Sequence, residues 1–203
     1  MKRAIDVAIS ASALIVASPV IAIVAIVVRS TMGRPVLFRQ IRPGLHAELF
    51  EMVKFRTMLD DRDESGELLD DDARTHPVGN FLRGTSLDEL PTLLNVLRGD
   101  MSLVGPRPLM PEYVPRYNAE QARRHEAKPG ITGLAQVRGR NTTSWEQRFA
   151  DDVEYVDSHS VLGDIGILLA TMRTLVSGGA DALGEDAPGE FWGSEPQTNR
   201  SLG

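Results

Sequence analysis

Between Ala4 and Val28 the chain carries one charged residue, Asp6, and the run from Val7 to Val28 is apolar for long enough to cross a bilayer. A stretch of that kind has to be buried in lipid or protein, or be removed as a signal. The Lys2-Arg3 start and the small residues around Ala17-Ser18 fit a secretory signal, but the run continues past any such cleavage point and Asp6 intrudes early. A spanning helix stays open, since proline is tolerated inside one. Two features favour a different topology. Ser18-Pro19 falls mid-run, where proline removes a backbone hydrogen bond. Lys2 and Arg3 flank one side while Arg29, Arg34, Arg39 and Arg42 flank the other, so the positive-inside tendency holds both ends on the cytoplasmic face. Broken at Pro19, each arm rises only about 15 to 22 Å, short of the roughly 30 Å hydrocarbon core. The expectation is a re-entrant helix-break-helix, with Ser18 and Pro19 as the membrane break.

The remainder reads as a folded body. With 203 residues, 42% hydrophobic and 25% charged, one domain with a real core is within reach. Cysteine is absent, which excludes a disulfide framework, a thiolate metal site and a cysteine nucleophile. A net charge of -6 argues against a general nucleic-acid binder, although much of the acid lies between Asp60 and Asp72. In that acidic loop Asp61, Asp63, Ser65, Gly66 and Asp72 match part of a calcium-loop spacing, but no helical flanks are evident and a solvated loop fits as well. Arg34–Gln40 and Leu49–Arg56 read as short strands of a hairpin turned by Arg42-Pro43-Gly44. Their cations suit either an anionic membrane surface or solvent. Leu87, Leu90, Leu94 and Leu97 recur at helical spacing and Gly99 ends the run. Further helices are expected from Pro115 to Ala127, from Ser144 as N-cap through Trp145, Phe149, Val153 and Val156, and from Val161 to Val176. The last of these packs in the core or lies at the membrane interface. The expected fold is α+β and mainly helical: a compact cytosolic domain with the re-entrant membrane segment and a small β-hairpin. Its parts are residues 1–30 in the membrane, 31–176 as the catalytic domain with interface helices, and 177–203 as a disordered tail rich in glycine, acid and proline.

Chemistry concentrates at Thr85-Ser86-Leu87-Asp88-Glu89-Leu90-Pro91 and Gly105-Pro106-Arg107-Pro108. Ser86 and Glu89 match a capping box, and acids in a first helical turn need no catalytic role. Pro91 makes Ser86 an awkward cap, because it falls at the fifth helical position. The same helix start offers backbone donors to an anion. A carboxylate there could attack phosphorus, with Glu89 holding Mg²⁺, an ion that commonly takes one or two carboxylates plus substrate phosphate oxygens. Arg107, fixed between two prolines, is pre-ordered for bidentate phosphate binding or for a structural ion pair. Arg83 lies just upstream of the acid pair and Arg140 closes the glycine-rich segment; each alone reads as a surface charge. His46, His76, His125 and His159 show no paired metal spacing and read as surface or capping residues. Neither a P-loop nor a dinucleotide fingerprint is present.

Taken together, the segments resemble a known family. They are Lys2-Arg3-x-x-Asp6, the apolar run with Ser18-Pro19, Lys54-Phe55-Arg56-Thr57-Met58 and Leu82-Arg83-x-Thr85 through Pro91. Next come Asn95 through Pro108, Lys128-Pro129-Gly130-Ile131-Thr132-Gly133-Leu134-Ala135-Gln136-Val137, and Gly139-Arg140-Asn141. In that order they are similar to the bacterial sugar transferases, the monotopic phosphoglycosyl transferases in minimal form, over roughly Lys2 to Val176. The acidic loop lies outside the motif set, and Arg138 stands where many relatives have a smaller polar residue. The resemblance implies transfer of a sugar 1-phosphate from a nucleoside diphosphate sugar, usually a UDP-sugar, to polyprenyl (undecaprenyl) phosphate, the first membrane step of bacterial glycan assembly. It implies that Asp88 attacks the β-phosphorus and releases UMP, that Glu89 binds Mg²⁺, and that Arg83, Arg107 and Arg140 orient phosphates or nucleotide. It also implies a location at the cytoplasmic membrane, with the catalytic domain on the cytoplasmic face, and no second multi-span membrane region. A phosphatase using water as acceptor, or a lipid-binding scaffold, would use the same residues differently. The transferred sugar, the glycan pathway and self-association as a homo-oligomer are all left open by the sequence.

Overall fold

The computed structural model describes residues 1–139, 144–176 and 191–193. The apolar run forms one helix, α1 (Lys2–Thr31), which at 30 residues is about 45 Å long. The expected break at Ser18-Pro19 is not a break, because the helix continues through both residues. Pro19 has no N–H to give the Ile15 carbonyl four residues back, and the Ser18 hydroxyl supplies that donor instead, at 2.8 Å.

Both ends of α1 are tied to the rest of the molecule. Near its start, Lys2 Nζ donates to Asp164 Oδ2 at 2.6 Å and to the Val104 carbonyl at 3.1 Å. The Arg3 guanidinium caps the Val96 and Leu97 carbonyls at the end of a later helix. Buried Asp6 accepts from Ser102 Oγ at 2.9 Å and from the Leu103 amide at 3.2 Å. Near its end, Val24, Val28 and Met32 bury against Phe55 and Leu82. Between and around these anchors Ile9, Ile15, Val16, Ile23 and Ile26 stay exposed. Among the described residues α1 is the one helix long and apolar enough to cross a membrane.

The expected hairpin is present, displaced by a few residues. Strands β1 (Leu37–Pro43) and β2 (Leu49–Phe55) pair antiparallel, from Leu37 opposite Phe55 to Pro43 opposite Leu49. Pro43 belongs to the strand, and the turn is a longer loop, Gly44 to Glu48, in which His46 and Ala47 take positive φ. Two short helices follow, α2 (Asp71–Arg74) and α3 (Pro77–Gly84), and His76 caps the second through Nδ1. The expected helix from Leu87 to Gly99 begins as a 3₁₀ segment, Leu87–Thr92, and becomes α4 (Leu93–Arg98) only beyond Pro91. Gly99 ends it in the left-handed conformation.

Strand β3 (Ser102–Val104) pairs in parallel with β4 (Gly130–Thr132). The expected Pro115–Ala127 helix is divided into a 3₁₀ segment (Pro111–Arg116), α5 (Ala119–Ala122) and a second 3₁₀ turn, Arg123–Glu126. Asn118 and Gln121 form a reciprocal capping box at α5, which restarts the helix after Tyr117 extends. Helices α6 (Leu134–Gly139), α7 (Trp145–Ser158, capped by Ser144) and α8 (Val161–Val176) complete the body. Leu162, Ile165, Leu169 and Met172 of α8 are exposed while Ile167 is in the core.

The main core gathers Met52, Leu93, Val96, Met101, Leu103, Val104, Tyr155 and Ile167, with Ala13 and Leu14 of α1 packed on it. The architecture is mainly helical with small two-stranded sheets. Of the stretch expected as a tail, residues 191–193 are described, and Phe191 there is 2% exposed and sits within a cluster of rings.

Candidate active site

Period-two alternation builds the floor of the site. Phe38, Gln40 and Arg42 of β1 and Met52 and Lys54 of β2, continued by Arg56, point to one face of the hairpin, while Val53 and Phe55 turn into the core. That face lines a cavity of about 520 Å³. Of the cations on this hairpin, Lys54, 7% exposed, and Arg56, 5% exposed, are folded inward, whereas Arg39 lies on the opposite, solvent-exposed face, paired with Glu51.

The acid pair is brought to this floor by side chains of its own segment. Thr92 Oγ1 donates to the Val53 carbonyl at 2.9 Å, Asn95 Oδ1 accepts from the Val53 amide at 3.1 Å, and Asn95 Nδ2 donates to the Glu51 carbonyl at 2.7 Å. Fully buried Asn95 thus occupies part of the hydrogen-bonding edge of β2, which fixes the Leu87–Thr92 segment against the strand. The turn into it is made by Ser86 at φ +55°, with no side-chain cap. The expected Ser86–Glu89 capping box is absent because the Glu89 side chain is engaged elsewhere. Its Oε1 accepts from Lys54 Nζ at 2.9 Å and from an Arg107 guanidinium nitrogen at 3.1 Å. Burial pushes the Glu89 carboxyl up, but the charges of Lys54 and then Arg107, with their hydrogen bonds, outweigh it and hold the pKa down to about 2. Asp88 is 7% exposed and lines the cavity.

Arg107 is positioned by backbone approach as well as by its prolines. The Gly130 amide donates to the Pro106 carbonyl at 3.0 Å, and a Cβ on Gly130 would lie 2.1 Å from the Gly105 nitrogen. Arg124, buried with Asp152, donates to the Arg107 carbonyl at 2.7 Å. Arg83 also lines the cavity and donates to Asn80 Oδ1 at 2.6 Å. Asp88, Arg83 and Arg107 are thus gathered at one cavity, with Glu89 joined to it through Lys54 and Arg107. Arg140 lies outside the described residues.

Strand alternation apart, nothing local in the sequence brings the side chains of the Lys54–Met58 motif to the site, nor Arg42, Arg74, Arg148, Tyr113 and Trp145, all of which line the cavity. The alternation Met52, Lys54, Arg56 was the legible signal, since it sets two cations on one strand face. Among the described residues no three His, Asp or Glu side chains converge to chelate a metal by themselves. Two adjacent carboxylates suit Mg²⁺ in the mode in which substrate phosphates and water complete its shell. A buried carboxylate beside a cation-rich pocket is equipped to bind and attack phosphorus in a polyanionic substrate.

A model of the bacterial sugar transferases matches residues 1–178. The chain belongs to the bacterial sugar transferase family. It is accordingly a transferase. It is 50% identical over 195 residues to the "Uncharacterized sugar transferase EpsL" of Bacillus subtilis, covering 96% of each chain. It is 41% identical over 186 residues to the UDP-glucose:undecaprenyl-phosphate glucose-1-phosphate transferase of Caulobacter vibrioides, covering 87% of this chain and 70% of that one. The undecaprenyl-phosphate galactose phosphotransferase of Salmonella typhimurium is 38% identical over 193 residues, where the match takes up 87% of this chain and 40% of the longer relative.

Proposed function

We propose that this sugar transferase moves a sugar 1-phosphate from a UDP-sugar to polyprenyl phosphate, releasing UMP, through a phosphoryl group carried on Asp88. The observation that carries the reading is Asp88 itself, buried at the wall of a 520 Å³ cavity whose other charged lining residues are Arg42, Lys54, Arg56, Asp60, Arg74, Arg83, Arg107 and Arg148. Such a cavity favours an anion with several phosphates, and the named reactions of the relatives from Caulobacter and Salmonella support a sugar phosphate as the transferred group.

In this scheme an Asp88 oxygen attacks the β-phosphorus, and the bond from that phosphorus to the bridging oxygen breaks as UMP leaves. An oxygen of the lipid phosphate then attacks the same phosphorus, breaks the acyl phosphate bond and regenerates the carboxylate. Arg83, Arg107 and Lys54 offset the charge of the incoming diphosphate, which otherwise would repel Asp88. Arg140 is proposed to join them. Glu89 would hold Mg²⁺ together with donor phosphate oxygens, and that ion, when bound, would neutralise phosphate charge. Because one carboxylate reacts in turn with a soluble donor and a membrane acceptor, the kinetics are ping-pong.

The site sits at the cytoplasmic face of the membrane in this reading, and α1, bending at Pro19 without losing its helical continuity, enters and leaves the bilayer on one side. What supports the same-side topology is that Lys2, Arg3 and Asp6 at one end of α1, and Val24, Val28 and Met32 at the other, are all bonded to or packed on the same folded body. A helix that crossed fully would place its ends on opposite faces.

Detergent-extracted protein incubated with a panel of UDP-sugars, Mg²⁺ and undecaprenyl phosphate should release UMP and form lipid-linked sugar diphosphate. Intact-mass measurement with donor alone should find a sugar-phosphate adduct that maps to Asp88. Absence of UMP release with every donor, or full activity in Asp88→Asn, refutes the scheme. Free sugar phosphate as the product would indicate a phosphodiesterase instead.

A further inference from the structure

The family match ends at residue 178, yet Phe191 is among the more deeply buried side chains described. Its ring meets Tyr113 edge-on at 5.7 Å between centroids, Trp145 at 5.6 Å and Phe149 edge-on at 5.0 Å. Its carbonyl accepts from the Arg116 guanidinium, which also lies over the neighbouring Trp192 ring at 5.1 Å. Tyr113 and Trp145 are themselves edge-to-face at 5.7 Å, and both line the 520 Å³ cavity. Phe191 does not line that cavity; it lies behind the two rings that do.

The cavity has a cationic wall beside Asp88 and, at Tyr113 and Trp145, an aromatic one, where the Arg148 guanidinium lies 5.7 Å from the Trp145 ring centroid. Arg107 lies on the acid-pair side, joined to Glu89, and the lining residues Pro108, Leu109 and Met110 lead from it to Tyr113. Phosphates are held by the cations beside Asp88, and a planar nucleobase is held by aromatic faces. The aromatic wall is thus the end suited to the nucleoside.

We propose that Phe191, from a C-terminal segment beyond the family-matched region, is a positioning residue that braces the Tyr113–Trp145 wall and so sets affinity for the nucleoside end of the donor. This rests on the reading of the donor as a nucleoside diphosphate sugar. Phe191 meets Tyr113 edge-on and Trp145 at a tilt, which holds both rings at fixed angles, and Arg116 pins the segment by its backbone. Without that brace, a ring of the wall gains rotational freedom that donor binding must remove again.

Full-length Phe191→Ala and Phe191→Leu test the assignment, with steady-state kinetics in both substrates and UDP affinity measured by equilibrium binding. Phe191→Ala should raise the donor KM and the UDP Kd about tenfold, and Phe191→Leu, which keeps apolar volume but no ring edge, about threefold. The polyprenyl phosphate KM, and kcat at saturating donor, should stay within about twofold of wild type. A simply structural role would lower kcat or move both KM values together. That pattern, or an unchanged donor KM and UDP Kd in Phe191→Leu, overturns the proposal. If the wild-type protein binds UDP but releases no UMP, the transfer reading fails while the brace is still tested by the binding arm. If it binds no UDP, both fail.

Discussion

Glu89 shows how far a residue's role can lie from its local pattern. Its place in a first turn matches a cap, but Lys54 from β2 and Arg107 from the Pro-Arg-Pro turn claim its carboxylate. Because its folded pKa lies below the ordinary 4.5, the stability its ionised form contributes is fully present above pH 4.5 and is lost as pH falls towards 2. Acid unfolding of the wild type and of Glu89→Gln should therefore differ most above pH 4.5 and converge towards pH 2, as followed by circular dichroism. Arg107→Lys keeps the charge but loses the planar fork. It should lower kcat/KM for the UDP-sugar by about tenfold or more, read from initial rates of UMP release. The two experiments separate an ion pair that stabilises from a guanidinium that binds substrate.

At the level of elements, the site depends on two backbone junctions. One is β2 against the acid-pair segment, where Thr92 and Asn95 take up strand hydrogen bonds. The other is the approach of Gly130 to Gly105, which sets the position of Arg107. Gly130→Ala puts a methyl carbon 2.1 Å from a backbone nitrogen, so the strands must separate. A loss of about 3 kcal/mol is expected, measured by denaturant unfolding, together with a large fall in kcat/KM. In α1 the critical exchange is between Ser18 and Pro19. Ser18→Ala leaves the Ile15 carbonyl without the hydroxyl that replaces the missing proline N–H, and should lower the thermal midpoint in nanodiscs by an amount equivalent to about 1 kcal/mol.

Over the whole molecule, α1 and the body stabilise each other, since the acid, the cations and the apolar end of the helix are all used in tertiary contacts. The loop that turns the hairpin is tied down in the same way. His125 is 8% exposed and its Nδ1 meets the Gly44 carbonyl at 3.1 Å. Burial, then the charge of Arg124, lowers its pKa to about 4, while the Gly44 carbonyl opposes the shift. The native imidazole stays neutral where the unfolded one takes a proton. Stability from this site is therefore complete above pH 6.5, falls as pH drops towards 4, and falls no further below that. The decrease in unfolding midpoint between pH 7.5 and pH 5 should be smaller in His125→Gln than in the wild type.

Sequence alone determined the features that come from local order. The long apolar helix, the hairpin, the Gly99 stop, the Ser144 cap and the start of α8 follow from periodicity, turn residues and capping, each of which acts over a few residues. The joint motif order likewise led to the family. Tertiary structure decided what those rules cannot reach. It closed the helix across Ser18 and Pro19, shortened the predicted helix behind Pro91, took Glu89 away from its cap, and folded Lys54 and Arg56 inward to line a cavity with Asp88. It also returned Phe191 to rings contributed by Pro111–Arg116 and α7. The reason is the same in each case: a buried charge, ring or backbone group is satisfied by whatever partner the fold brings to it, and those partners are distant in sequence.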